Sequence, residues 1–249
     1  MGCLDGKIAV VTGGAAGIGR GIAEGFAREG ADVAIFDVKS ESEAASSLEG
    51  ISATGRRSLY VRTDVSIEDE VRSAVQRVVQ EFGTIDILVN NAGIVSEGAV
   101  ADMPVADWDR VIAVNLRGTF LCTRFVLPGM LSQRSGRIIN MASQLGQIGG
   151  RSMVHYSASK AGVIGLTKAL AREVSDRNVL VNAIAPGPIQ TEMLASESAE
   201  WKQSKLAELP IGRFGEVADV VPTAIFLASD QAAYYVGQTL GPNGGDVML

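Results

Sequence analysis

Tyr156 and Lys160 stand four residues apart, a spacing that puts both side chains on one face of a helix. A phenol ionises near pH 10, about three units above neutrality, so unaided it is a poor acid–base group. A neighbouring ammonium stabilises the phenolate and is expected to lower that value. A tyrosine so placed can donate a proton to a carbonyl oxygen during reduction and take it back during oxidation. Ser143 lies upstream at the end of an apolar run, where its hydroxyl can hydrogen-bond the same oxygen and hold the substrate. The plainer alternative is an ordinary Tyr–Lys pair on a surface helix. His155 precedes Tyr156 by about 100° of helix turn and is expected to face elsewhere, with pocket lining left open.

A second site is expected near the N-terminus. Thr12-Gly13-Gly14-Ala15-Ala16-Gly17-Ile18-Gly19 joins a strand to a helix. Glycines there permit a tight turn and let backbone N–H groups approach a pyrophosphate at the helix N-terminus. The G-x-G-x-x-G spacing fails, because Ile22 stands where its third glycine would fall. Asp37 ends the next strand, 18 residues after Gly19. A carboxylate there can accept both ribose hydroxyls of NAD and would repel the 2′-phosphate of NADP. The turn offers no basic residue, and Lys39 is the one nearby cation that weakens the argument. The alternatives are a structural turn and a solvated strand-end carboxylate.

Composition narrows the rest. The chain has 249 residues, 47% of them hydrophobic, with a net charge of −6. It can bury a large core, and its acidity disfavours sequence-independent nucleic-acid binding. One histidine excludes any two-histidine metal site, and no metal is expected. Cys3 and Cys122 have neither metal nor redox spacing, which suits a reducing, cytosolic setting. No signal core and no membrane-length apolar run is evident, so no membrane partner is expected.

The elements that must position these residues alternate. Strands are expected over 7–12, 32–37, 59–63, 85–90, 137–142, 180–184 and 236–240. Helices are expected over 17–29, 42–54, 67–82, 105–131, 152–176 and 216–228. Strands apolar on both faces between amphipathic helices imply an α/β domain: one doubly wound, mostly parallel, seven-stranded sheet flanked by helices. No linker or repeat interrupts residues 1–249, read as one domain. Residues 187–215 carry no clear pattern, and so long a loop is expected to be a substrate lid; Met193 and Trp201 within it are candidates to cover substrate. The last helix is more apolar than one core-facing stripe requires, and an exposed sheet edge follows it, so assembly with other copies is expected.

Taken together, these motifs resemble those of the short-chain dehydrogenase/reductase family, in its single-domain branch of Rossmann-like enzymes. The turn matches T-G-x-x-x-G-x-G, Asn90-Asn91-Ala92-Gly93 matches the motif after the fourth strand, and Tyr156–Lys160 matches Y-x-x-x-K. Ser143 lies upstream and Pro186-Gly187 downstream of it. The resemblance spans essentially the whole chain. It implies an oxidoreductase interconverting a ketone and a secondary alcohol, with Asn115, Ser143, Tyr156 and Lys160 as catalytic residues. Lys160 would also bind the nicotinamide ribose, and Asn115 would hold a water in a proton relay. By the same resemblance Gly13, Gly17, Ile18 and Gly19 bind the pyrophosphate region, Asp64 and Val65 the adenine, and Asn91, Ala92 and Gly93 underlie the cofactor. Pro186, Gly187, Ile189 and Thr191 would meet the nicotinamide end. Details of the last strand and of residues 171–174 and 226–230 are most similar to 3-oxoacyl-acyl-carrier-protein reductases, whose carrier-docking arginines fall at Arg134 and Arg177; both also sit where a helix C-terminus favours a cation. Asp37 departs from a biosynthetic NADPH reductase and keeps an NAD-dependent dehydrogenase of a sugar, polyol or other small secondary alcohol as the alternative. A non-catalytic NAD-binding protein is less consistent with the intact set. Relatives commonly form homotetramers, which is the expected assembly here.

Overall fold

The computed structural model describes residues 2–195 and 198–249. Among these residues seven strands form one sheet: β1 (Ile8–Thr12), β2 (Asp32–Asp37), β3 (Ser58–Arg62), β4 (Ile87–Asn90), β5 (Gly136–Met141), β6 (Val179–Ile184) and β7 (Thr239–Leu240). Their order is β3-β2-β1-β4-β5-β6-β7, and every pairing is parallel. The chain winds outward from β1 in one direction and from β4 in the other, so a crevice opens between them at the carboxyl ends. The central strands are buried on both faces, which explains their largely apolar sequences; Asn140 and Asn182 are buried polar exceptions.

Helices cover both faces. On one lie α1 (Gly17–Arg28) and, much later in the chain, α10 (Val217–Ala228), which bring Ile22, Phe26, Val220 and Leu227 to the core. On the other, Val71 and Val78 come from α3 (Glu68–Phe82), and Leu121 and Met130 from α5 (Gly118–Gln133). The short α2 (Glu41–Ser52) opens on a capping box formed by Ser40 and Glu43, which satisfies two otherwise free backbone donors. In α3 the three acids of the first turn oppose the helix dipole, and Gly83 ends the helix at φ +87°.

Three expectations are corrected. The helix expected over 105–131 is α4 (Val105–Ile112), a π turn (Ala113–Arg117) and α5. Its 105–133 span is long and apolar enough to cross a membrane by composition, yet α5 supplies Leu121, Cys122, Val126 and Met130 to the core. The lid segment is not structureless. After α6 (Leu145–Ile148) and the long α7 (Val154–Val174), it holds α8 (Glu192–Ala195) and α9 (Ala199–Glu208). Its neck is closed by a parallel bridge between Ile189 and Gly215. The last strand pairs with β6 only at Thr239 and Leu240.

The apolar excess on α10 is also partly explained inside the chain. Gly21 and Gly25 let α1 approach it so closely that an added Cβ would stand 2.2 Å from Val217 and 2.5 Å from Val221. Val221 is therefore half-buried against α1.

Candidate active site

A cavity of about 1030 Å³ opens at the carboxyl ends of the strands. One end lies at the turn after β1. Gly13 and Gly17 adopt left-handed backbone, at φ +64° and +54°, which a side chain would strain. The Asn91 side chain donates to the Thr12 and Gly13 carbonyls at 3.0 and 3.1 Å, and Thr12 Oγ1 accepts from the Asn91 and Ala92 N–H groups. The turn is thus fastened to the segment after β4. Ala16, before α1, offers no side-chain cap, and the first turn holds no acid. The leading N–H groups of α1 are left for an anion, at a wall formed by Gly13, Gly17 and Ile18. Gly19 does not line the cavity: its α-hydrogen side packs on the turn, where a Cβ would fall 2.1 Å from the Gly13 carbonyl.

Asp37 faces the same end. Its carboxylate accepts from the Ala15 N–H at 3.0 Å and the Lys39 N–H at 3.1 Å. Lys39 also lines the cavity, but its ammonium lies 3.9 Å from Glu192 of α8, so its charge is partly matched from the lid. Asp64 accepts from the Ser66 N–H and hydroxyl, a local turn that presents Asp64 and Val65 to the cavity. Ala92, Gly93, Pro186, Gly187, Ile189 and Thr191 complete the middle of the wall.

Ser143, Tyr156 and Lys160 converge at the other end. Ser143 follows β5, and its hydroxyl accepts from the Leu145 N–H at 3.1 Å. Lys160 is 5% exposed, and its ammonium donates to the Met141 carbonyl at 2.7 Å. Burial lowers its pKa to about 8. Gly93 keeps space open beside it, since a Cβ there would stand 3.4 Å from Nζ. The expected depression of the Tyr156 pKa is overturned for the bare protein. Burial lifts the phenol above its ordinary value, and the Ser143 hydroxyl opposes this only in part. Lys160 Nζ lies 5.7 Å from the Tyr156 ring centroid, and its charge is already engaged by the Met141 carbonyl.

Asn115 lies beneath the site rather than in its wall. It is fully buried in the π turn and absent from the cavity wall. Its Oδ1 accepts from the Ile94 N–H at 2.8 Å, and its Nδ2 donates to the Ile94 carbonyl and to Ser159 Oγ. Both amide hydrogens are used, so the side chain fixes the segment after β4 against α7. His155 likewise does not line the cavity: it is buried, with Nε2 2.8 Å from Ser96 Oγ.

Arg134 and Arg177 are exposed at the amino ends of β5 and β6. The cavity lies at the carboxyl ends of those strands, so within one chain neither arginine stands at its entrance. Trp201 does line the cavity, while the Met193 side chain lies outside the described residues. Gln144, Leu145, Ile148 and Met153 form wall that spacing did not single out. An apolar residue set among glycines just after Ser143, as Ile148 is, was the available signal; it is 56% exposed.

A doubly wound parallel sheet with a glycine turn at its switch point, and with Ser, Tyr and Lys converging beyond it, defines a dinucleotide-dependent oxidoreductase. The family model for short chain dehydrogenases matches residues 7–202. The 3-oxoacyl-[acyl-carrier-protein] reductase of Staphylococcus aureus is 45% identical over 242 residues, covering 97% of this chain and 98% of that one. The Thermotoga maritima reductase of the same name is 42% identical over 245 residues, with 98% and 99% covered. Among solved structures, levodione reductase superposes with a TM-score of 0.94 at 33% identity, covering 97% and 98%. A short-chain type dehydrogenase/reductase from Mycobacterium marinum gives 0.94 at 35%, covering 99% and 97%. The chain belongs to the short-chain dehydrogenase/reductase family. It is an NAD(P)-dependent oxidoreductase acting on CH–OH and keto groups. The uncapped N–H groups of α1 and the side-chain-free cradle at Gly13, Gly17 and Gly93 fit the nicotinamide dinucleotide that this family binds.

Proposed function

We propose that the protein is an NAD(H)-preferring reductase of 3-oxoacyl thioesters or similar neutral ketones. The observation that carries the reading is the convergence of Ser143, Tyr156 and Lys160 at one end of the cavity, with Asp37 at the other. When bound, the reduced dinucleotide supplies a hydride to the carbonyl carbon. Tyr156 donates its phenolic proton to the carbonyl oxygen, and Ser143 holds that oxygen by a hydrogen bond. Lys160, with a pKa of about 8, stays mostly ammonium at neutral pH and serves the ribose. The NAD preference rests on Asp37, which meets the ribose hydroxyls and repels a 2′-phosphate. The acyl reading is supported by the similarity to two acyl-carrier-protein reductases and by the apolar wall at Leu145, Ile148, Met153 and Trp201.

Asp37 also supports a second reading, NAD-dependent oxidation of a sugar, polyol or other small alcohol, because a carboxylate there is at odds with an NADPH reductase. A cytoplasmic homotetramer is the assembly proposed, on the exposure of Phe120, Val154 and Tyr234. The test is NADH and NADPH oxidation with acyl thioesters and sugar ketones side by side. Turnover of a thioester with NADH, abolished in Tyr156→Phe while dinucleotide binding persists, supports the proposal. Turnover of sugar ketones alone selects the second reading, and near-normal kcat in Tyr156→Phe refutes the acid–base role.

A further inference from the structure

Ties on every second residue hold the segment that follows β4. Asn115 Oδ1 accepts from the Ile94 N–H, and Asn115 Nδ2 donates to the Ile94 carbonyl. The Ser96 hydroxyl lies 2.8 Å from His155 Nε2. The Gly98 N–H donates to the Ser152 carbonyl at 2.8 Å. The residues between, Gly93, Val95 and Glu97, line the cavity, and Ile94 reaches its wall as well. Such alternation is that of an extended chain with one side fastened and the other facing open space. The partners place this stretch at the Tyr156 end. His155 precedes Tyr156 in α7, Ser152 lies just before that helix, and a Cβ on Gly93 would stand 3.4 Å from Lys160 Nζ. The ties differ in kind. Those at 94 and 98 engage backbone groups of the segment, whereas the one at 96 runs between two side chains. His155 is 1% exposed, and its Nδ1 is buried without a hydrogen-bond partner among the described residues. A leucine would fill much of the same space and orphan no nitrogen there. The imidazole's one polar contact is with Ser96.

We infer that His155 is a positioning residue for substrate binding, acting through Ser96 to hold Val95 and Glu97 in the cavity wall at the Tyr156 end. Without this tie the segment is fastened only at 94 and 98, and the wall between them loosens. Ser143 and Lys160 keep their own supports at the Leu145 N–H and the Met141 carbonyl, so the chemical step is spared. Asn91 and Ala92 stay fastened to Thr12, so the dinucleotide half is spared too. The loss falls on binding of the ketone. That consequence rests on the proposed ketone reductase reading; the tie itself does not.

The test compares the intact protein with His155→Leu, Ser96→Ala and His155→Gln; glutamine keeps a polar group for Ser96 and leucine does not. Hydrogen exchange over 93–98 without ligands should quicken about threefold or more in the leucine and alanine variants, and less in the glutamine one. NADH affinity, read by fluorescence titration, should stay within about twofold in all of them. With a neutral 3-oxo ester in steady state, KM should rise roughly fivefold or more in the leucine and alanine variants while kcat stays within about twofold. The glutamine variant should recover most of that loss. The double variant Ser96→Ala/His155→Leu should be no worse than either single one, because both remove the same contact. Unchanged exchange in both the leucine and alanine variants overturns the tie. A glutamine variant as impaired as the leucine one, KM losses that multiply in the double variant, or a fall in kcat alone overturns the positioning role. An unaltered KM while the ester is turned over also overturns that role and leaves the reductase reading standing. If the unaltered protein reduces no ketone, the reductase reading and the binding role fail together, while the exchange measurement still decides the tie.

Discussion

Replacing Lys160 by methionine should stabilise the ligand-free protein at neutral pH and destabilise it at high pH. The ammonium is buried, and its pKa falls from 10.5 to about 8. At about 1.4 kcal/mol per tenfold, that fall corresponds to roughly 3 kcal/mol by which the charged form is disfavoured in the folded state. Below pH 8 both folded and unfolded chains carry the proton, and the full cost is present. Between pH 8 and 10.5 the folded chain loses its proton while the unfolded chain keeps it, so stability rises with pH and the cost fades. Methionine has a similar length and no charge, but it leaves the Met141 carbonyl, now 2.7 Å from Nζ, without its donor, at about 1–3 kcal/mol. The variant should therefore gain about 1 kcal/mol at pH 7, or ~2–4 °C in Tm for a domain of this size. By pH 10.5 it should be the less stable protein by about 2 kcal/mol. Paired thermal melts of both proteins from pH 6.5 to 10.5 measure the difference, in which the remaining groups cancel. A difference that stays constant across that range would refute the reasoning, because it would mean that Lys160 titrates alike in both states.

Asp37→Ala should raise kcat/KM for NADPH relative to NADH by at least tenfold, read in steady-state assays; a wild-type protein already better with NADPH would sink the stated cofactor preference. Gly19→Ala forces a Cβ to within 2.1 Å of the Gly13 carbonyl; it should cost about 1–3 kcal/mol in urea melts and weaken dinucleotide binding, and an unchanged midpoint would show that the turn can relax. Exchange over 187–215 should slow when NADH and a substrate analogue bind; identical rates would mark a static cover. Light scattering at micromolar concentration should give a tetramer mass that falls in Phe120→Asp, a residue 49% exposed on α5, and a monomer mass for the unaltered chain would end the assembly proposal.

The parts of the fold that read directly from sequence are those in which burial imposes a pattern. β1, β4, β5 and β6 are buried on both faces and mostly apolar because helices cover both, and α3 buries Val71, Ala74, Val75 and Val78 at helical spacing. Helix α9 buries none of its residues, so no apolar period marks it, and the 187–215 segment looked featureless. The π turn was hidden for another reason: residues 113–117 keep a helical composition, and their widening is visible only where Asn115 meets the backbone of Ile94. Site residues carried on motifs were legible, since Gly13, Asp37, Ser143, Tyr156 and Lys160 all reach one cavity. Gln144 was not, because its partner Asp246 lies far away in sequence. Nor could spacing tell which way the Tyr156 pKa moves, because desolvation depends on everything packed around the ring.

The bridge between Ile189 and Gly215 has a bearing on how such an enzyme diversifies. The Gln190 N–H meets the Gly215 carbonyl at 2.8 Å, and the Gly215 N–H meets the Pro188 carbonyl at 3.0 Å. Everything between 190 and 214 therefore leaves and rejoins the domain through one pinned neck. Changes of length or composition beyond Thr191, which itself stays in the cavity wall, leave the sheet in register. A segment anchored in this way is where substrate preference can change while Ser143, Tyr156 and Lys160, held by β5 and α7, keep their places.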